Sequence, residues 1–95
     1  MTKKVILYSM KGCPHCVEMK NILNGANIKF SDRDIDKYQD EYDLFVEATG
    51  NEYIPAFMLL TFDEKKNASN VELLTPDRDF DDLPQALDMV KRYLN

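Results

Sequence analysis

The tetrapeptide Cys13-Pro14-His15-Cys16 holds both cysteines of the chain and is the segment best suited to chemistry. The apolar run 5–8 precedes it and a helical pattern of apolar residues follows it, which predicts a strand-to-helix corner at the tetrapeptide. At a helix N-terminus, free backbone N–H groups and the positive end of the helix dipole stabilise a thiolate and lower a cysteine pKa from roughly 8.5 to about 3.5–7.5. We therefore expect thiol–disulfide exchange.

The positions of the two cysteines predict different roles. Cys13 precedes the helix and is expected to be the exposed nucleophile, whereas Cys16 lies in the first turn, faces inward and is expected to resolve the mixed disulfide. His15 is either an ordinary first-turn residue or a donor that favours the Cys13 thiolate. Pro14 is predicted, together with His15, to tune the pKa of the Cys13 thiol. A stabilised thiolate is also a better leaving group, so tuning makes the disulfide more oxidising.

A zinc site, or a pair of small buried side chains, is the alternative use of these cysteines. A structural zinc site needs four ligands, and beyond the two thiols the chain offers one histidine, which lies inside the same tetrapeptide. We therefore expect no metal site and favour redox chemistry.

Length and charge restrict the class of protein. A chain of 95 residues is long enough for one core, so a single domain over residues 1–95 is predicted. The net charge of −5 and the absence of a basic stripe argue against nucleic-acid and anionic-membrane partners. The apolar run after Lys3-Lys4 is too short for a signal peptide or a membrane span, so we expect a cytoplasmic protein. We also expect a monomer.

Strand and helix patterns alternate along the chain. Strands are predicted at 4–9, 28–34, 56–60 and 71–74, and helices from the tetrapeptide to about 24, at 37–49 and at 83–94. Gly25 and Gly50 are interpreted as helix stops, and the polar stretch 61–70 as a long hairpin loop. The order β-α-β-α-β-β-α predicts a parallel, right-handed first unit and a final antiparallel hairpin.

The segment 8–16 (YSMKGCPHC), followed by Tyr53-Ile54-Pro55 and Asp81-Asp82-Leu83, resembles the glutaredoxins of the thioredoxin superfamily. The resemblance covers almost the whole chain and implies an α/β, thioredoxin-like fold in which a four-stranded mixed sheet is flanked by three helices. Thioredoxins are similar in fold but usually carry Trp before a C-G-P-C core, and this chain has no Trp.

The resemblance implies a glutathione-dependent thiol–disulfide oxidoreductase that reduces protein–glutathione mixed disulfides and protein disulfides in cell redox homeostasis. Glutathione is then the co-substrate, disulfide-bearing or glutathionylated proteins are the partners, and no tightly bound cofactor is expected. One alternative is a thioredoxin-like hydrogen donor, for example to ribonucleotide reductase, regenerated by a flavin reductase. Another is an iron–sulfur carrier in which Cys13 and glutathione ligate a [2Fe–2S] cluster across a dimer, although such glutaredoxins tend to lack Pro after the first Cys.

The resemblance also assigns ligand contacts. It makes Pro55 the cis-proline opposite the dithiol, where the backbone of Ile54 pairs with an extended peptide disulfide, which in glutaredoxins is glutathione. Lys11 resembles the basic residue that meets a glutathione carboxylate. The backbone N–H of Asp81 and the carboxylate of Asp82 resemble the pair that holds the γ-glutamyl end. From the residues alone, a trans proline, a solvated lysine and a plain helix cap are the alternatives.

Three features depart from the family pattern. Asp77-Arg78-Asp79 stands before Phe80, where the family usually has Gly-Gly that lets the backbone approach the ligand closely. The loop at 61–70 is longer than the expected tight turn and is interpreted as a solvated excursion. His15 stands where Tyr is commoner, a variant that resembles strongly oxidising periplasmic disulfide donors.

Replacing His15 tests its tuning role. His15→Tyr is expected to lower the reduction potential and to raise the pKa of the Cys13 thiol, because the phenol removes a donor or cationic neighbour of the thiolate. The disulfide couples of glutaredoxins have reduction potentials of roughly −200 to −230 mV, and we expect the potential of the unsubstituted protein to lie at or above this range. Equilibration against a glutathione redox buffer and titration of the thiolate absorbance measure the two quantities. No change in either would leave His15 an ordinary first-turn residue.

Overall fold

A four-stranded mixed sheet and three helices form the fold in the computed structural model, which describes residues 2–95. The strands are β1 (Thr2–Ser9), β2 (Ser31–Asp34), β3 (Ala56–Phe62) and β4 (Ala68–Leu74), and the helices are α1 (Pro14–Gly25), α2 (Gln39–Thr49) and α3 (Leu83–Leu94). In the sheet order β2-β1-β3-β4, β1 and β2 are parallel and the other neighbours are antiparallel. The predicted element order and mixed sheet are confirmed.

Strand β1 lies inside the sheet and is buried on both of its faces. Val5 and Leu7 pack with residues of α1 and α3, while Ile6 and Tyr8 pack with residues of α2. Side chains alternate between the two faces of a strand, so a continuous apolar run suits a strand that helices cover on both sides. The burial of β1 holds the segment 10–13 at the carboxyl end of this strand.

The glycine stop is confirmed for α2 and wrong for α1. Gly50 follows α2 with a φ of +69°, the left-handed conformation that glycine adopts without steric cost. Gly25 instead lies inside α1, which Ala26 caps, and Asn27 supplies the left-handed residue with a φ of +58°. Asparagine adopts this conformation more readily than most non-glycine residues, so α1 ends without using its glycine.

The predicted limits of the first two strands also shift. β1 begins at Thr2 because it pairs along its length with β3, out to Phe62. β2 begins only at Ser31, because Ile28 and Phe30 pack against the core before the pairing with β1 starts.

The stretch 61–70 is a tight hairpin, so the prediction of a long loop is wrong. β3 continues to Phe62 and β4 begins at Ala68, which leaves only 63–67 as the connection. The Asp63 carboxylate accepts the backbone N–H groups of Lys65 and Asn67 at 2.9 and 3.0 Å and so folds the turn onto itself. Most of β4 is exposed, and its polar residues conceal the alternation that identifies a strand.

A polar network joins β1, β2 and α2. The Tyr8 hydroxyl donates to Glu41 at 2.6 Å, and Arg33 forms an ion pair with the same carboxylate while lying over the Tyr38 ring. Burial disfavours the ionised Glu41, but the hydrogen bonds from Tyr8 and Arg33 outweigh it and lower the pKa of this carboxyl. Burial and the hydrogen bond to Glu41 raise the pKa of Tyr8, which keeps the phenol a donor.

The network predicts a pH-dependent contribution to stability. Because the pKa of Glu41 is lowered in the folded state, its contribution is present above the ordinary value of 4.5 and is lost as the pH falls through the lowered value. Glu41→Gln is expected to reduce the free energy of unfolding at neutral pH and to flatten its pH dependence below 4.5. Urea unfolding at several pH values measures this. The exposed Glu47→Gln on the same helix is the control, and identical curves for the two variants would contradict the prediction.

Candidate active site

Cys13 caps the N-terminus of α1 through its sulfur. The residue is extended, with φ −97° and ψ 104°, and its Sγ accepts the backbone N–H of Cys16 at 3.1 Å. Pro14 occupies the first helical position, where a missing N–H leaves no hydrogen bond unmade. Gly12, with a φ of +78°, makes the turn between β1 and the helix. The sulfur therefore lies at the positive end of the helix dipole, as the sequence predicts.

The sulfur atoms of Cys13 and Cys16 are bonded to each other, with their Cα atoms 5.2 Å apart. Cys13 keeps 9% of its surface exposed and Cys16 keeps 0%. The predicted order of accessibility is correct, although Cys13 is less exposed than expected in this disulfide form. Cys13 is thus the more accessible of the two residues, and Cys16 stays inside the first turn.

A cleft of about 360 Å³ opens beside the first turn of α1. Five predicted site residues line it: His15, Ile54, Pro55, Asp81 and Asp82. Lys11 is exposed in the turn after β1 and does not line the cleft.

Further lining residues include Glu18, Pro76 and Phe80, which sequence reasoning did not single out. The acidic side chains of the lining are those of Glu18, Asp81 and Asp82, and none of the lining residues is Lys or Arg. A ligand in this cleft therefore lies near three carboxylates and no lysine or arginine.

Asn51 joins the two segments that form one wall of the cleft. Its Oδ1 accepts the Tyr53 N–H at 2.7 Å, and its Nδ2 donates to the Pro76 carbonyl at 2.7 Å. The Ile54–Pro55 peptide bond that follows Tyr53 is cis, and Pro55 is buried. Sequence reasoning missed Asn51 because one partner lies 25 residues away.

Polar side chains stabilise the turn 75–80, where the family pattern has Gly-Gly. The Asp79 carboxylate accepts the Thr75 N–H at 2.8 Å and the Arg78 Nε–H at 2.9 Å. Asp77 has a φ of +69°, a left-handed conformation that Asp tolerates better than most side chains. Phe80 is almost fully buried and meets the Phe57 ring edge-on. The turn is thus held in place without glycine.

Asp82 and Gln85 cap α3 reciprocally. The Asp82 carboxylate accepts the backbone N–H of Gln85 at 2.8 Å, and the Gln85 Oε1 accepts the backbone N–H of Asp81 at 2.7 Å. This arrangement resembles a capping box displaced by one residue. Asp82 is therefore a helix cap here, and the Asp81 N–H already has a partner. The sequence offers Asp82 as a helix cap, but the part of Gln85, three residues later, was not predicted.

Comparisons with known proteins relate this geometry to a family. The family model for glutaredoxins matches residues 5–59, which include the two cysteines and the Ile54-Pro55 pair. No curated protein matches the chain significantly in sequence.

Two solved structures show the same fold, which confirms the thioredoxin-like architecture. One is a mutant of the thioredoxin-like protein BC3987, at 15% identity and a TM-score of 0.59, covering 97% of this chain and 100% of that one. The other is described as a malarial protein, at 17% identity and a TM-score of 0.54, covering 100% of both chains.

Residues 2–95 contain neither a membrane-spanning helix nor a cluster of metal-ligating side chains. No helix in this range is both long and apolar enough to cross a membrane. Within the same range, no three His, Cys, Asp or Glu side chains are grouped so that they could hold a metal ion.

The Asp82 cap predicts a difference between two substitutions. Asp82→Ala is expected to lower the free energy of unfolding by about 1 kcal/mol, whereas Asp82→Asn retains most of the stability because asparagine caps equally well. Thermal and urea unfolding of the reduced proteins measure both. The exposed Asp88→Ala, within α3, is the control. Equal losses for the Ala and Asn variants would show that the charge of Asp82, and not its cap, stabilises α3.

Proposed function

The chain belongs to the glutaredoxin family and is a thiol–disulfide oxidoreductase, and we propose that glutathione reduces it and that protein–glutathione mixed disulfides are its main substrates. The observation that carries this proposal is the cleft, which extends from His15 in the first turn of α1, past Ile54, to Asp81 at the start of α3. His15, which stands between the two cysteines, lines the cleft although neither cysteine does, so a tripeptide joined to Cys13 would enter it past the first turn of α1.

The proposed reaction consists of disulfide exchanges that begin at Cys13. The Cys13 thiolate attacks the glutathione sulfur of the substrate, forms a Cys13–glutathione disulfide and releases the protein thiolate. A second glutathione thiolate then attacks this intermediate, giving oxidised glutathione and the free Cys13 thiolate. Alternatively, Cys16 attacks the Cys13 sulfur and releases glutathione, and two glutathione molecules later reduce the Cys13–Cys16 disulfide.

Backbone pairing at Ile54 is the proposed contact for the middle of glutathione. The ladder between β1 and β3 begins at Ala56, so Ile54 lies outside it while still lining the cleft. An extended peptide can therefore add to this segment as a short extra strand.

The ends of glutathione are assigned to charged and polar groups. We propose that the γ-glutamyl end binds at Asp81 and Asp82, which line the cleft, and that the exposed Lys11 meets the glycine carboxylate. We extend the proposal to a cytoplasmic monomer that uses glutathione as co-substrate and needs no tightly bound cofactor.

A thioredoxin-like hydrogen donor is the second candidate, and one observation favours it. The Asp81 N–H, which would meet a glutathione carboxylate, is already bonded to Gln85 in a cleft with an acidic lining. The two candidates differ in the reductant that turns the enzyme over.

A steady-state assay with a glutathionylated substrate distinguishes the candidates. Turnover driven by glutathione, glutathione reductase and NADPH supports the proposed function. Turnover driven only by a thioredoxin reductase would reject glutathione as the reductant and support the second candidate.

Single cysteine substitutions test the proposed reaction. Cys13→Ser is expected to abolish disulfide exchange, whereas Cys16→Ser keeps substantial activity towards glutathione mixed disulfides, because a second glutathione can resolve the Cys13 intermediate. Initial rates with a glutathionylated peptide measure both variants. If Cys16→Ser were as inactive as Cys13→Ser, the route through a single thiol would be wrong.

A further inference from the structure

The side chain of Gln85 occupies a backbone donor that the proposed function assigns to a glutathione carboxylate. Its Oε1 accepts the Asp81 N–H at 2.7 Å, and both Asp81 and Asp82 line the cleft. Each backbone amide has one proton to donate, so a ligand carboxylate takes this position fully only when the Gln85 amide leaves. Gln85 does not itself line the cleft, but its neutral amide holds the donor to which the ligand would present an anion.

We propose that Gln85 is a specificity-determining residue whose side chain competes with glutathione for the Asp81 N–H. The inference rests on the proposed function, since it concerns the same cleft. Asp82 holds the backbone N–H of Gln85 at 2.8 Å and so keeps the start of α3 in place, whereas the side chain of Gln85 is exposed and is held by its bond to the Asp81 N–H. Competition therefore weakens the binding of glutathione and leaves disulfides without a carboxylate unaffected.

The charge of the cleft strengthens this competition. Glu18, Asp81 and Asp82 all line it, so the carboxylate of the γ-glutamyl end, unlike its ammonium group, is repelled, while the neutral amide of Gln85 is not. The preference of the enzyme for glutathione over other disulfides consequently depends on the residue at position 85.

Two substitutions at Gln85, made in a Cys16→Ser background that traps the mixed disulfide, change the competition in opposite directions. The measured quantity is the equilibrium constant of the exchange in which the Cys13 thiol and oxidised glutathione give the Cys13–glutathione disulfide and free glutathione. Gln85→Ala frees the Asp81 N–H and is expected to raise this constant about threefold to tenfold. Gln85→Glu retains the length of the side chain but adds a carboxylate, and is expected to lower the constant by a similar factor. Gln39→Ala, at the exposed start of α2, is the matched control and is expected to change nothing.

The same equilibria measured with hydroxyethyl disulfide separate competition from a structural effect. The mixed disulfide that it forms with Cys13 carries no carboxylate. The equilibrium constant is therefore expected to fall in the order Ala, Gln, Glu at position 85 for glutathione, and to stay the same for hydroxyethyl disulfide. Mass spectrometry after acid quenching quantifies each mixed disulfide, and thermal unfolding is recorded for each variant. If Gln85 only stabilises α3, both disulfides shift together and follow the unfolding temperatures, which overturns the inference.

The remaining outcomes separate this inference from the proposed function. A preference for glutathione that stays the same in all variants overturns the role of Gln85 and leaves the proposed function standing. A preference that is absent in the parent and appears in Gln85→Ala supports the role of Gln85 and removes glutathione as the natural substrate. No preference in any variant overturns both.

Discussion

The Cys13 sulfur caps the N-terminus of α1, and we propose that disulfide exchange begins at the same atom. These two roles depend on each other, because the backbone N–H that a cap must satisfy is also a donor that stabilises a thiolate. The buried strand β1 and the turn at Gly12 hold Cys13 at this corner, and Pro14 starts the helix immediately after it. The packing of the sheet therefore fixes the place of both sulfur atoms at the start of α1, with Cys13 slightly exposed and Cys16 fully covered.

Polar side chains that bond to backbone groups hold in place the segments that line the cleft. Asn51 joins the segment before β3 to the turn 75–80, Asp79 closes that turn, and Gln85 binds the amide that leads into α3. A pair of glycines would let a ligand approach the backbone closely, whereas here the left-handed residue is Asp77. The family relationship thus identifies the chemistry of the two cysteines more firmly than it identifies the molecule that occupies the cleft.

The sequence predicted the element order and the place of the dithiol because both follow from local patterns, namely the apolar run of β1 and the two cysteines at the start of a helix. It failed at the hairpin 61–70 because β4 is an exposed edge strand whose polar residues look like a loop. Asn51 could not be found, since its role arises from a contact across 25 residues. Gln85 could have been identified as the third residue after the Asp82 cap, and the contact of Lys11 with a glutathione carboxylate stays a prediction, since Lys11 does not line the cleft.

The pH dependence of alkylation shows whether the N-terminus of α1 makes Cys13 the reactive thiolate. The reduced protein is treated with iodoacetamide over a range of pH, and the modified cysteine is identified by peptide mass mapping. We predict that Cys13 is alkylated first and that its rate reaches half of the maximum well below the ordinary cysteine value of about 8.5. A half-maximal rate at that ordinary value, or modification of Cys16 before Cys13, would show that the N-terminus of α1 does not make Cys13 the reactive thiolate.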